Sequence, residues 1–372
     1  MTQEDFNKLI STKYDIIIFC GQPSHWQNVG EVTTKLVKKY PELKVIIITE
    51  YNCDIYKDAQ YPTFTIQGLS VSFLKYFTAT VLYTPFVGLH YSSKPIGSKV
   101  VHSLVSLTSL DGVYADWMFD ACDYILCAGP HHIQDFISLG EKRNVLRGKQ
   151  LVKSGYPKLD LAIKWAHQHN YSIEPLNNIE TIIYAPTHIY SENENLASIR
   201  EYGESIIATI LGLGFNLIFR PHPVSLTDKD SKLVEKLVSL HESNPQFQID
   251  LSKEYQQSYS SSSLMVTDLS GTGFTFSLAY LRPTIFFAPN QNAEANLKGI
   301  QFDDRHQIGG VARNLLELKN SIQFYKSNSI ENSIKSYRNN LLYNLNNSDD
   351  YISDFLYKLI TGQTLYDLIS IN

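Results

Sequence analysis

Short β-branched apolar runs in this chain are separated by turn residues and amphipathic helical stretches, and that alternation sets the fold class before any motif does. The run DIIIFC at residues 15–20 leads into a loop marked by Gly21 and Pro23. A helical stretch follows over residues 28–39, with Val29, Val32 and Leu36 at helical spacing, and Pro41 punctuates it before the run KVIIIT at residues 44–49. Runs that are apolar throughout belong to strands covered on both faces, which means a parallel sheet flanked by helices. Strand, helix, strand is the βαβ unit. The pattern continues through TATVLYTP, VVHSLVSL and YILCAG, with a helix starting near His131. It then begins again with ETIIYAPTH, a helix stopped by Gly214, NLIFRPHP, a helix over residues 231–243, and FQIDLS. The last repeat, residues 262–289, reads as strand, glycine loop, helix and strand.

A chain of 372 residues is too long for one core and predicts two domains. The polar, proline-bearing stretch YSIEPLNN is the candidate linker. The expected division is an acceptor-side Rossmann-like domain over residues 1–170 and a donor-binding Rossmann-like domain over residues 171–330. A helical tail over residues 331–372 is expected to pack across both. Two such halves resemble the layout of a GT-B type glycosyltransferase, an α/β fold in which two doubly wound domains face a central cleft. Ligands in such sheets bind at the carboxyl ends of the strands, so the site is expected in that cleft.

The net charge of −5 argues against a nucleic-acid partner, which needs clustered Lys and Arg. No apolar run reaches the ~18–20 residues of a membrane span, and the polar N-terminus reads as no signal peptide. Peripheral contact with a membrane face stays open. Cys20, Cys53, Cys122 and Cys127 form no C-x-x-C pair; Cys20, Cys122 and Cys127 sit in apolar runs and read as small buried hydrophobes, and a reducing cytoplasm fits.

Three strand ends in the second half carry polar clusters. In VTDLSGTGFTF a strand ends at Asp268, and Ser270, Gly271, Thr272 and Gly273 lead into a helix. Free N–H groups and partial positive charge at a helix start suit phosphate, and glycines let the backbone come close. Simple capping is the plainer alternative. No Lys follows the second glycine, so this is no Walker loop. In RPHP, Arg220 can grip a phosphate and His222 can donate to one, with Pro221 and Pro223 stiffening the turn. A rigid turn with an exposed His is the alternative. In YAPTH, Thr187 and His188 occupy a third strand end.

In the first half, His102 and Ser103 stand in an apolar run. His102 is either a satisfied core residue or a general base for an acceptor hydroxyl. His131 and His132 open a helix, as caps or as acceptor contacts. No D-x-D carboxylate pair stands at a strand end, so no metal ligands are assigned.

These stretches resemble the CDP-glycerol glycerophosphotransferase family of teichoic-acid and capsule assembly. The matching pieces are HSLVS, SGYPKLD, IIYAPTH, RPHP and VTDLSGTGFTFSLAYLRPTIFF, in the family's order. The resemblance implies an enzyme with one catalytic histidine per domain, His102 and His222, and with Ser270 and Thr272 on donor phosphate. It also implies a cytidine-nucleotide donor as substrate, no cofactor, and a polysaccharide or lipid-linked acceptor. RPHP with the Ser/Thr-rich turn is similar as well to CMP-sugar transferases for sialic acid or Kdo. An epimerase or hydrolase acting on a sugar nucleotide, and a non-catalytic binding subunit of polysaccharide assembly, are the other readings.

Overall fold

The computed structural model describes residues 3–51, 64–110, 113–168, 180–189, 194–227, 229–252, 254–269 and 271–372. The candidate linker at residues 171–178 lies outside them, as do Cys53 and Ser270. The chain divides into two compact units, one of Met1–Ser106, Tyr114–Leu161 and Leu341–Asn372, the other of Leu107–Val113 and Ala162–Asn340. No helix among the described residues is long and apolar enough to cross a membrane.

The first unit contains β1 (Lys13–Cys20), β2 (Val45–Thr49), β3 (Phe64–Ile66), β4 (Thr78–Thr84), β5 (Lys99–Ser103), β6 (Tyr124–Cys127) and β7 (Gln150–Lys153). The second contains β8 (Thr181–Tyr184), β9 (Asn216–Phe219), β10 (Phe247–Ile249), β11 (Leu264–Thr267), β12 (Thr284–Phe287) and β13 (Gly309–Ala312). A last strand, β14 (Leu368–Ser370), returns to the first sheet and pairs antiparallel with β7. Every other strand pairing among the described residues is parallel. The sheet orders are β14-β7-β6-β5-β4-β1-β2-β3 and β10-β9-β8-β11-β12-β13. Both contain the doubly wound Rossmann order, in which the chain starts centrally, winds to one edge, then returns to wind toward the other.

The apolar runs lie where their composition puts them. Ile16, Ile17, Ile18 and Phe19 on β1 and Ile46, Ile47 and Ile48 on β2 are fully buried. The helix Trp26–Lys39 lays Val29, Val32 and Leu36 on this sheet. Beside it the helix Ser348–Thr361 adds Ile352, Phe355 and Leu356 to the same core, and burying each such side chain contributes about 1.5–3 kcal/mol. Tyr40 stacks on Tyr357 with centroids 3.7 Å apart, and Lys35 pairs with Asp349 at 2.9 Å.

The tail was expected to pack across both domains. The helix Glu331–Leu341 falls almost wholly in the second unit, and the helix Ser348–Thr361 is integral to the first. What fastens the latter is the SGYPKLD turn. The Asp160 carboxylate accepts from Asn346 N at 2.8 Å, from Ser348 N at 3.0 Å and from Ser348 Oγ. It therefore serves the first amides of a helix distant in sequence, as an N-cap does. Gly155, at φ +83°, lets the backbone of Tyr343 pass; a Cβ there would lie 2.5 Å from its carbonyl oxygen. Gly129 does the same for Leu341, whose carbonyl oxygen would be 1.8 Å from a Cβ.

The run VVHSLVSL, read as one strand, is strand only as far as Ser103. The Tyr114 hydroxyl accepts from Val105 N at 3.2 Å and Ser106 N at 3.1 Å, and Tyr156 donates to Val105 O at 2.7 Å. These bonds satisfy the backbone in place of a ladder and turn the chain. Leu107–Val113 then belongs to the second unit, where Ser109 N donates to Gln301 Oε1 at 3.1 Å and Ser109 Oγ accepts from Ile300 N at 3.3 Å.

Asp160→Ala leaves the Asn346 and Ser348 amides without their acceptor, and is expected to lower stability by about 2–3 kcal/mol. Urea denaturation followed through the Tyr fluorescence of the tail helix checks this; a loss no larger than that of a surface substitution would remove Asp160 as the anchor.

Candidate functional site

In the second sheet the winding reverses between β8 and β11, and the crevice beyond the carboxyl ends at such a point is where ligands bind. Asp268, just past β11, is only 1% exposed. Its carboxylate accepts from Thr187 N at 3.0 Å, Ser198 N at 2.8 Å and Ser198 Oγ at 2.8 Å. Ser198 Oγ lies 2.8 Å from the Tyr184 hydroxyl. Burial raises the pKa of Asp268, and these donors oppose the shift. Asp268 was expected among the donor-binding residues. Its oxygens are spent within the protein, so its effect on a ligand runs through the backbone it holds.

Thr187 and His188 follow β8, and Arg220 and His222 follow β9. The His188 and His222 rings lie 4.3 Å apart at 31°, so two of the strand ends singled out in the sequence do meet. His222 Nδ1 accepts from Val224 N at 3.2 Å. That bond assigns the neutral ring its proton on Nε2, leaving Nε2–H as a donor. Arg220 is placed differently from the free phosphate grip the sequence suggested. It pairs with Asp250 through Nη1 and donates from Nη2 to Ser252 O at 3.0 Å. Asp250 also accepts from Ser252 N at 2.9 Å and sits below the usual carboxylate range, burial being outweighed by Ser252, Ser258 and Arg220.

The helix Thr272–Tyr280 begins at the expected turn, with Gly271 at its N-cap and no side-chain cap. Thr272 and Tyr259 share a side-chain hydrogen bond, and burial pushes the Tyr259 hydroxyl up to about 12. Gly273 was expected to let backbone approach phosphate. Its missing Cβ instead faces β12: a Cβ there would lie 2.9 Å from Thr284 Cγ2 and 3.0 Å from the Phe286 ring. It secures close helix–strand packing, which is the third role of glycine in dinucleotide folds.

In the first sheet the reversal falls between β1 and β4. The loop after β1 carries His25, which sequence reasoning missed. Its Nδ1 accepts from Gly21 N at 3.2 Å, and its ring lies 6.4 Å from that of Phe86, past β4. A Cβ at Gly21 would lie 2.4 Å from Phe86, so the glycine makes room for that ring. The only signal in the sequence was its position, a histidine one loop past the first strand.

His102, on β5, is fully buried and meets Phe119 edge-on, centroids 5.3 Å apart. Neither of its ring nitrogens makes a hydrogen bond of good geometry among the described residues. Desolvation pushes its pKa down to about 3, with a smaller push from His25 and a slight opposing effect of the Phe86 backbone. His25 is itself lowered to about 4 by burial. Both rings are therefore neutral near pH 7. Ser103 is buried against the Tyr83 hydroxyl. His132 Nδ1 accepts from Ala128 N at 3.2 Å and its ring lies 4.0 Å from that of His131, both within the helix Pro130–Lys142.

A histidine whose folded pKa is depressed binds fewer protons folded than unfolded below about pH 6.5. Its contribution is present above that pH and lost as pH falls toward the folded value. Between pH 7.5 and pH 5, His25 and His102 are each expected to cost about 2 kcal/mol of stability. Urea midpoints of the wild type and His102→Leu at the two pH values test this. The variant should lose about 2 kcal/mol less than the wild type, and equal losses would show that His102 is not held neutral.

Residues 116–358 match one protein family, described as CDP-Glycerol:Poly(glycerophosphate) glycerophosphotransferase. A sequence comparison with curated proteins finds no relative. Among solved structures, the wall teichoic acid polymerase TagF superposes with a TM-score of 0.62 at 15% identity, over 93% of this chain and 89% of that one. Staphylococcus aureus MnaA bound to UDP gives 0.63 at 12% identity over 94% and 99%. The Methanocaldococcus jannaschii UDP-GlcNAc 2-epimerase, solved with UDP-GlcNAc and UDP, gives 0.62 at 12% identity over 93% and 100%. These likenesses establish the GT-B type fold.

Proposed function

The chain belongs to the CDP-Glycerol:Poly(glycerophosphate) glycerophosphotransferase family, and on that premise we propose that it moves glycerol phosphate from CDP-glycerol to a hydroxyl of a surface-polymer acceptor. The acceptor oxygen attacks the phosphorus that carries glycerol. The bond from that phosphorus to the oxygen of the CMP phosphate breaks, CMP leaves, and the acceptor proton passes to a base. Such a reaction asks the protein for positioning and for neutralisation of charge on the leaving group.

The observation that carries this reading is the pairing of His222 and His188 beside the switch point of the second unit. His222, with Nδ1 occupied by Val224 N, offers Nε2–H to a phosphate oxygen. The first amides of the helix Thr272–Tyr280 supply further donors and a favourable dipole. His102 takes the acceptor proton. With its pKa pushed down to about 3 it is a weak base in the free protein, and a bound anion beside it favours the imidazolium and raises that value. His102 thereby becomes an effective base only once anionic substrate is present. Ser270 and Thr272 hold the donor phosphate, and the site works on the protein's own groups without a cofactor.

His222→Ala is expected to lower kcat by about 10²–10³ with CDP-glycerol, with melting temperature unchanged. Wild-type turnover in the variant would remove His222 from the chemistry. A thermal-shift series with CDP, CMP and UDP should favour the cytidine forms. Equal stabilisation by UDP would overturn the cytidine assignment, and consumption of donor without acceptor would move the protein to the epimerase or hydrolase class.

A further inference from the structure

Arg305 is a buried cation of the second unit that is only partly paired. Its side chain is 3% exposed, yet only part of it is partnered. Nη1 donates to Glu294 Oε1 at 2.6 Å. Nε and Nη2 make no hydrogen bond among the described residues. The guanidinium lies over two rings, 5.0 Å from the Phe286 centroid and 5.2 Å from that of Phe302. Phe286 is the ring that crowds Gly273 in the first turn of the helix Thr272–Tyr280, and Arg305 feels the charge of Asp268 without touching it. Arg305 therefore stands at the carboxyl edge of β11 and β12, beside the turn that opens this helix.

The two orphaned nitrogens have a particular geometry. Nε–H and Nη2–H project in parallel from one edge of the guanidinium, and this edge receives two oxygens of a phosphate or carboxylate at once. Leaving a buried charged donor unsatisfied is costly, and each such case in a folded protein calls for an explanation. The partial pairing is not for want of a local carboxylate. Glu294 takes Arg305 on Oε1 and Arg313 on Oε2, at 2.6 and 2.5 Å. Two arginines thus share one glutamate, Glu294 fixes the plane of Arg305 through Nη1, and the other edge is buried and unpaired. The Asp268 oxygens are satisfied by Thr187 and Ser198.

We propose that the Nε/Nη2 edge of Arg305 is a phosphate-binding fork that takes the diphosphate of the nucleotide donor beside the first turn of the helix Thr272–Tyr280. This rests on the transferase reading for the identity of the donor, though the fork requires only a diphosphate. Glu294 acts as its positioning residue. Phe286 and Phe302 hold the planar group in place and exclude water, which strengthens the ionic contact.

The test uses thermal shift and calorimetry with inorganic pyrophosphate, CDP, UDP and cytidine on the full chain. Pyrophosphate and CDP should raise the melting temperature of the wild type. Arg305→Met should weaken CDP about tenfold or more, abolish the pyrophosphate response and leave cytidine affinity unchanged. A purely structural arginine would shift stability without separating phosphate from nucleoside. Arg305→Lys, which keeps the charge and loses the fork, should also bind CDP more weakly, and it carries the test if the Met variant does not fold. Wild-type CDP affinity in either folded variant, or no response of the wild type to pyrophosphate and CDP, overturns the proposal. An Arg305-dependent response equal for CDP and UDP leaves the fork standing and overturns the cytidine reading instead.

Discussion

The second unit is organised around one buried carboxylate. Asp268 sits where β11 ends, and its bonds to Thr187 N and to both donors of Ser198 tie the exit of β8 and the approach to the helix Ile199–Gly212 to that point. A parallel sheet fixes its strands by ladder bonds but leaves the loops beyond their carboxyl ends unpaired. An acceptor with several lone pairs can gather amides from more than one of those loops. Hydrogen bonds to a charged group are among the stronger ones in a protein. The polar residues after β8 and β11 therefore share one framework, and the ring contact of His188 with His222 links the residues after β9 to it.

The two histidines assigned to chemistry are prepared in opposite ways. His222 is half-exposed and its ring is oriented by a backbone amide, so its protonated nitrogen is set before any ligand arrives. His102 is fully buried, meets Phe119, and is kept neutral by desolvation rather than by a partner. The proposed donor to phosphate gains its orientation from Val224 N, and the proposed base is held neutral by burial. His25 adds to the neutrality of His102, because two imidazoles close together in a buried place cannot both become cations without repulsion.

Much of the architecture was legible because fully buried parallel strands write themselves as runs of Ile, Val and Phe. The runs at residues 15–20 and 44–49 became strands within a residue or two, and the strand expected to end at Asp268 ends at Thr267. The end of VVHSLVSL was not legible, since Tyr114 and Tyr156 hydroxyls replace the ladder bonds that an apolar run alone suggests. Nor was the docking of the tail, which depends on Asp160 reaching amides almost two hundred residues away. At the candidate site, residue type and strand-end position located His222, His188, Thr187 and Asp268. What residue type could not show was what each side chain had already spent its hydrogen bonds on. Gly273 illustrates the point, a glycine in a phosphate-like turn whose bare face is turned to Thr284 and Phe286.

That distinction between a charge and an available charge bears most directly on the two arginines of this unit. Arg220, conspicuous in RPHP, commits both terminal nitrogens to Asp250 and Ser252. Moving it to a ligand would strand Asp250, whose carboxylate is stabilised in part by that cation. Arg305 occurs in no motif, yet Glu294 engages one terminal nitrogen and leaves a buried two-donor edge unpaired. A cation that is held but half-satisfied gains more from an incoming oxyanion than one that must first break its pair, since the ligand then supplies bonds and removes none. The sequence points to Arg220 because motifs advertise residue types; the coordination of each guanidinium is what distinguishes a committed cation from one with two donors unpaired.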